Sequence, residues 1–202
     1  MLAFLRKHWF ELGLGLALAA FTAASRVASP LAKLLWLNLV ALFLHQFEEY
    51  RWPGTFPGML NTVMFASQQP DRYPLNANSA MIINVGVGWT SYLLAALAAE
   101  RAIWLGIATM LVSLGNLLAH GILFNLRGKR FYNPGMLSAL VLFGPLVAVF
   151  GQRIVAHAAA SASDWLIGLS LGLVLNILGI FGLIDWLKDK HSRYRFPARM
   201  LE

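Results

Sequence analysis

One imidazole and two carboxylates lie within a single short segment, His45-Gln46-Phe47-Glu48-Glu49. On a helix, positions i, i+3 and i+4 share one face, so these three side chains would project together. Such a set suits two kinds of chemistry, the binding of a divalent metal ion and the transfer of protons. The segment follows an apolar run, residues 34–44. Ionisable groups on a membrane-spanning helix usually mark a functional site.

A second polar pair, Asn116 and His120, has the i, i+4 spacing inside another apolar segment. Two imidazoles and a carboxylate form a ligand set for a divalent metal ion, and zinc is the metal that we predict. Zinc binds imidazole nitrogen and carboxylate oxygen, and catalytic zinc sites keep one position open for water. We therefore predict that His45, Glu49 and His120 are metal ligands.

Glu48 is then the predicted general base, although the sequence does not decide which of Glu48 and Glu49 is the ligand and which is the base. We predict that Asn116 or Asn133 stabilises an oxyanion. Adjacent carboxylates repel each other unless a cation or a proton lies between them. Ordinary hydrogen bonds and ion pairs with Arg51 or Arg127 remain the structural alternative for these residues.

The composition indicates a membrane protein with several spans. Of the 202 residues, 58% are hydrophobic and only 12% are charged, against about 25% charged in soluble domains. The absence of cysteine excludes disulfides and thiolate chemistry. The net charge of +7 does not indicate a nucleic-acid partner, because the basic residues flank apolar segments, where they set topology and contact membrane lipids.

Apolar segments long enough to span a bilayer, which takes about 20 residues, predict an all-α integral membrane protein. We predict a single domain, residues 1–202, that forms a bundle of six transmembrane helices. The predicted spans are residues 9–27, 32–50, 80–99, 102–125, 135–156 and 165–187.

Most of the 16 Lys and Arg residues fall in the N-terminus, the loops after the second and fourth spans, and the C-terminus. The positive-inside rule therefore places both termini in the cytoplasm. At 1.5 Å per residue, His45 lies about 9 Å from Arg51 along the axis, and His120 about 10 Å from Arg127. The two histidines are thus predicted at similar depth near the cytoplasmic side.

The long loop, residues 51–79, contains several prolines and apolar residues and is predicted to be either a lid over the site or a segment packed on the end of the bundle. In the last span, Gly168, Gly172 and Gly179 form a stripe that predicts close helix packing. Asn176 on the same stripe is predicted to form an interhelical hydrogen bond. The basic tail from Lys188 to Arg199 is predicted to lie at the lipid interface.

Three blocks in this order, His45 to Glu49, Asn116 to His120, and Tyr132-Asn133-Pro134-Gly135, resemble the signature blocks of the HXXEE-domain family. The resemblance covers about residues 33–187. The family consists of small multi-pass membrane proteins, mainly bacterial, without an established biochemical function. The resemblance therefore implies a bacterial inner-membrane location and signature positions, and it implies no substrate. The signature positions are His45, Glu48, Glu49, Asn116, His120, Asn133, Pro134 and Gly135.

The residues favour a metal-dependent hydrolase that acts at the cytoplasmic leaflet on a lipid or an amphipathic small molecule, which would enter from the side. Three alternatives remain. The same groups could serve a proton- or cation-coupled carrier, although transporter sites usually lie nearer the membrane midplane. They could also serve a metal-free isomerase that moves protons between His and Glu, or the chain could be a purely structural subunit.

Overall fold

The computed structural model describes residues 1–201, and within this range all regular secondary structure is helical. Within residues 1–201, seven helices precede a short 3-10 turn, Ala198–Met200, and several of the seven change between α-helical and π-helical turns. They are α1 (Leu2–Arg26), α2 (Pro30–Tyr50), α3 (residues 56–64), α4 (residues 77–98), α5 (residues 103–128), α6 (Met136–Ala156) and α7 (Ala162–Trp186).

Four helical stretches are long and apolar enough to cross a membrane: Pro30–Tyr50, Ala77–Gly128, Met136–Ala156 and Ala162–Trp186. The second of these has 52 residues and contains two of the predicted spans. Its backbone breaks at Ala99, where φ is +47° and a 3-10 turn begins. The segments on either side, α4 and α5, pack against each other.

The predicted first span lies in α1, but α1 is not among the four stretches. Its N-terminal part carries Arg6, Lys7 and Glu11, and it ends at Arg26, which lowers the mean hydropathy of any bilayer-length window. The prediction of six spans is therefore confirmed only as a bundle of helices in which four stretches meet the length and hydropathy of a membrane span.

Helix α2 is the centre of the bundle and contacts α1, α4, α5 and α6. It begins where the Ser29 hydroxyl accepts a hydrogen bond from the Ala32 amide at 3.1 Å, and Pro30 occupies the first turn. Small residues on α1, including Gly13 and Ala17, are buried, and Gly13 lies beside the ring of Phe43 on α2. Their size lets the two helices approach closely.

Helix α7 packs on α5 through the glycine stripe that the sequence predicts. A Cβ atom at Gly168 would lie 2.7 Å from Ile107, and one at Gly172 would lie 2.8 Å from Leu111. Asn176 donates to the Leu111 carbonyl at 3.3 Å, which confirms the predicted interhelical hydrogen bond. Apart from this contact surface most of α7 is exposed, as expected for a helix that faces lipid on its other sides.

The two termini and the start of α4 meet at one end of the bundle, which we call the basic end. Arg6 donates to Asn78 at 2.9 Å, the Ala77 amide donates to Tyr194, and Arg199 donates to the Tyr50 carbonyl.

The C-terminal tail packs against the bundle, which the sequence did not predict, and its location at the lipid interface stays a prediction. Phe196 and Met200 are buried in the apolar cluster at the basic end, and the Phe196 amide donates to Asp71 in the long loop at 2.8 Å. The tail therefore closes the basic end of the bundle, because its apolar side chains bury there while its arginines stay near the surface.

Candidate metal centre

His45, Glu49 and His120 meet in the interior, and each offers one ligand atom within 4.8 Å of the others. Glu49 Oε1 lies 3.6 Å from His45 Nε2 and 3.3 Å from His120 Nε2. All three side chains are buried, with exposed fractions of 2%, 5% and 1%. Helix α2 supplies His45 and Glu49 with the predicted i, i+4 spacing, and α5 supplies His120.

Asn133 fixes the orientation of the His120 ring. The Asn133 amide nitrogen donates to the His120 backbone carbonyl at 2.7 Å and to the Asn125 side-chain oxygen at 2.8 Å. A carbonyl only accepts, so the Asn133 Oδ1 must face the ring, and it lies 2.7 Å from His120 Nδ1. His120 Nδ1 therefore carries a proton, and in the neutral imidazole the lone pair is on Nε2, which faces Glu49.

Ser138 fixes the His45 ring in the same way. The Ser138 hydroxyl donates to Glu48 Oε2 at 2.5 Å, so its oxygen accepts from His45 Nδ1 at 2.9 Å. His45 Nε2 then carries a lone pair as well. This atom is buried and has no hydrogen-bond partner among the described residues. A buried polar atom without a partner costs free energy and calls for an explanation.

With both imidazoles neutral, two lone pairs and a carboxylate oxygen converge, and a cation or an added proton makes this arrangement favourable. Zinc lies about 2.0–2.2 Å from His nitrogen and carboxylate oxygen, so two ligands of a tetrahedral zinc ion are about 3.4 Å apart. The two contacts of Glu49 Oε1, at 3.3 and 3.6 Å, are close to this separation. The outward Nδ1 hydrogen bonds are those that metal-binding histidines typically make.

Gly135 is required by the close approach of the backbone to both rings. Its φ is +99°, a conformation that glycine adopts at no steric cost. A Cβ atom there would lie 2.5 Å from His120 Cε1 and 2.8 Å from His45 Cε1. The turn before α6 therefore passes directly beside both rings, and only a residue without a side chain fits.

Glu48 faces away from the three ligands and binds the start of α6. Its carboxylate accepts from the backbone amides of Leu137 at 3.1 Å and Ser138 at 2.8 Å, from the Ser138 hydroxyl, and from the Tyr132 hydroxyl at 2.9 Å. A carboxylate at a helix N-terminus satisfies free N–H groups and is stabilised by the helix dipole. Both oxygens of Glu48 are occupied by these donors, and Glu48 does not line the cavity that adjoins the three ligands, so its role as general base stays a prediction.

Tyr132 completes the contacts of Glu48 from the loop between α5 and α6. Burial and the hydrogen bond to the Glu48 carboxylate raise the pKa of the Tyr132 hydroxyl above its usual value. The hydroxyl therefore remains protonated at neutral pH and continues to donate. Together, Tyr132 and Ser138 attach the signature turn to α2.

We expect Glu48→Gln to lower stability, because an amide cannot accept from donors on both of its sides. The loss of hydrogen bonds to a charged acceptor and an unpaired buried amide should reduce the free energy of unfolding by about 2–3 kcal/mol. Denaturant unfolding in detergent would measure this, with Glu100→Gln as the control, since Glu100 is exposed. Unchanged stability together with lost activity would instead support the general-base role.

The two predicted oxyanion residues lie in different places. Asn133 has both amide hydrogens engaged by His120 and Asn125, so it cannot also donate to a substrate. Asn116 lines the cavity, and its amide makes one hydrogen bond, to the Val112 carbonyl at 3.1 Å. One amide hydrogen of Asn116 therefore remains free to donate.

A cavity of about 130 Å³ adjoins the three ligand residues and is lined by α2, α4, α5, α7 and the long loop. The long loop forms its wall at the basic end. There the ring of Phe56 on α3 lies 5.5 Å from the His120 ring, centroid to centroid. Asn61 holds the loop together through the backbone of Pro70 and Leu75. The loop is thus packed on the end of the bundle and also covers the site.

Five π-helical turns interrupt the helices around this site. One contains His120, one follows Ser138, and the turns in α4 and α7 contribute lining residues of the cavity. π-Helical turns inside α-helices occur frequently at functional sites. The sequence did not lead us to predict these turns. It also did not identify Ser138, which is distinguished in the sequence only by its position three residues after Gly135.

The fold and the site define an all-helical membrane protein with a buried histidine–carboxylate cluster that could hold a metal ion. The family described as "Protein of unknown function with HXXEE motif" matches residues 36–150 of the chain. Because this match covers more than half of the 202 residues, the chain belongs to that family. No curated protein and no solved structure matches the chain.

Proposed function

We propose that the protein is a membrane-embedded, metal-dependent hydrolase that acts on a lipid or an amphipathic small molecule at the cytoplasmic leaflet. The observation that carries this proposal is that Glu49 Oε1 lies 3.6 Å from His45 Nε2 and 3.3 Å from His120 Nε2, in a group whose ligand atoms all lie within 4.8 Å of one another. All three residues also line the cavity. A metal ion held by them would keep a coordination position open towards bound substrate, as catalytic zinc sites do.

A divalent metal ion held by these residues, which we propose to be zinc, would supply Lewis acidity and would make water acidic enough to attack near neutral pH. In ester hydrolysis the water oxygen joins the acyl carbon, the bond from that carbon to the alcohol oxygen breaks, and a proton of the water ends on the alcohol. Among the described residues that line the cavity, Glu49 is the only acidic one. We therefore assign the transfer of the water proton to Glu49. Asn116 would donate its free amide hydrogen to the developing oxyanion.

The membrane arrangement is part of the proposal. Six spans with both termini in the cytoplasm of a bacterial inner membrane would follow from counting α1 as a span. The exposed leucines of α1, at positions 12, 14, 16 and 18, support this count. The start of α1 and the ends of α2 and α7 lie together at the basic end, as an even number of crossings requires. The positive-inside rule then makes the basic end cytoplasmic.

Metal content and metal-dependent hydrolysis of the purified wild-type protein would test the function. We expect elemental analysis by mass spectrometry to give about one divalent metal ion per chain. We also expect hydrolysis of a p-nitrophenyl ester with a medium-length acyl chain, lost after exhaustive chelation and restored by zinc. A chain without stoichiometric metal would contradict the proposal.

A metal-free isomerase is the second candidate, and one observation favours it. A proton on either Nε2 would also satisfy the contacts of 3.3 and 3.6 Å to Glu49, and a carboxylate between two imidazoles is suited to proton transfer. The chelation experiment separates the two candidates. Activity that survives complete metal removal would favour proton transfer, and activity that disappears would favour the hydrolase.

A further inference from the structure

The cavity beside the three ligands is polar at one end and apolar elsewhere. His45, Glu49 and His120 form its polar end, and a few amides such as Asn116 lie next to them. Most of the remaining wall is apolar and comes from residues such as Leu42 on α2 and residues on α4, α5 and α7. A ligand that fits this wall has one polar end group and an apolar body.

The volume of the cavity limits the length of that apolar body. A cavity of about 150 Å³ lined by apolar side chains holds one benzene molecule, which has six carbons. The present cavity, at about 130 Å³, therefore holds roughly six carbons of a hydrocarbon chain. The acyl chain of a membrane lipid is longer than that, so the rest of such a chain must leave the cavity.

Some residues of α4 and α7 that line the cavity also reach the outer surface of the bundle. Val87 and Ser91 on α4 and Phe181 on α7 line the cavity and are also partly or fully exposed at the outer surface; Phe181 is 46% exposed. The two helices come close at Gly179, where a Cβ atom would lie 3.3 Å from Val87. Helix α7 packs mainly on α5 instead.

We infer that the cavity binds the first carbons of a single straight acyl chain of a membrane lipid, whose carboxylic ester lies at His45, Glu49 and His120. The remainder of the chain passes between α4 and α7 into the bilayer. This inference rests on the proposed function, because it takes the three ligands as the place of reaction. It adds the class of substrate, a carboxylic ester of one straight chain, and the route by which it reaches the site.

Two glycines on α4 offer a matched pair of variants. A Cβ atom at Gly88 would lie 3.6 Å from Gln46 and 3.7 Å from Leu42, two residues that line the cavity. A Cβ atom at Gly86 would meet nothing within 4 Å. Gly88→Leu would therefore fill part of the cavity, and Gly86→Leu would place the same side chain into the surrounding lipid.

The probe is a lysophosphatidylcholine with a diazirine at the sixth carbon of its acyl chain, mixed into phosphatidylcholine vesicles with the protein. We expect light-induced labelling of Val87, Ser91 or Phe181 in the wild type. This labelling should fall at least about fivefold in Gly88→Leu and stay unchanged in Gly86→Leu. Labelling confined to outward-facing residues such as Leu93 and Leu94 in the wild type would overturn the inference, whether or not the Gly88 variant folds.

Metal content measured on the same preparations keeps this inference separate from the proposed function. Wild-type protein that holds the metal ion but shows no labelling inside the cavity would contradict the lipid route alone. Protein that shows the labelling but holds no metal ion would contradict the hydrolase and leave the lipid-binding cavity in place.

Discussion

His120→Ala is expected to abolish metal binding, with the metal content falling from about one ion per chain to less than about a tenth of that. Removal of one ligand from a set of three leaves His45 and Glu49 alone, and two protein ligands do not form a zinc site of the usual kind. His45→Ala should have the same effect, because both rings face the same carboxylate oxygen. Elemental analysis of purified protein measures the loss.

His157→Ala is the control for these variants, because His157 is exposed at the end of α6. It should keep the metal content of the wild type. Equal metal content in the His120 and His157 variants would show that any bound ion lies elsewhere and would contradict the site.

His120→Cys would sharpen the result, because the natural chain has no cysteine and a thiolate is a good zinc ligand. We expect this variant to regain part of the metal binding that His120→Ala loses. Loaded with Co²⁺, it should show the near-ultraviolet absorption of a thiolate bound to cobalt, and the wild type should not. The absence of this absorption in a cobalt-loaded variant would place the metal ion away from position 120.

The proximity of His45, Glu49 and His120 could be predicted from the sequence, because helical spacing and distance from the basic residues are local quantities. The i, i+4 relation on α2 sets the first pair. Counting residues to Arg51 and Arg127 places His120 at the same depth. Neither of these two inferences depends on how the helices pack.

The different contacts of Glu48 and Glu49 could not be predicted, because both positions lie on the same broad face of α2. Which carboxylate reaches His120 depends on where α5 and α6 pack around that face. Glu48 points to the start of α6, where the Ser138 amide and hydroxyl bind it. Glu49 points to α5. Only the tertiary arrangement distinguishes the two.

The C-terminal tail shows that a prediction based on charge alone can overlook apolar residues. Its lysines and arginines indicate a surface segment at the lipid interface, and this reasoning gives little weight to Phe196 and Met200. In the structure these two residues are buried at the basic end, because the removal of apolar side chains from water is favourable. The four apolar helical stretches, by contrast, follow from composition alone.

Gly135→Ala is expected to damage both the stability and the metal site. An alanine at φ +99° adopts a strained backbone, which costs about 1–2 kcal/mol, and its methyl group would lie 2.5 Å from His120 Cε1 and 2.8 Å from His45 Cε1. Overpacking of this kind costs about 1–3 kcal/mol more. Because both rings must move, their hydrogen bonds to Asn133 and Ser138 weaken, and the metal affinity should fall by about 10–100-fold.

Gly151→Ala, within α6, serves as the control, and the opposite effect on stability is expected. A Cβ atom there meets nothing within 4 Å, and Gly→Ala within a helix stabilises by about 0.5–1 kcal/mol. In thermal unfolding in detergent, Gly135→Ala should therefore be less stable than the wild type and Gly151→Ala more stable. In zinc titration, only Gly135→Ala should show a lower metal affinity. If the Gly135 variant kept both the stability and the metal affinity of the wild type, the two rings would not lie against this turn, and the arrangement of the site described here would be wrong.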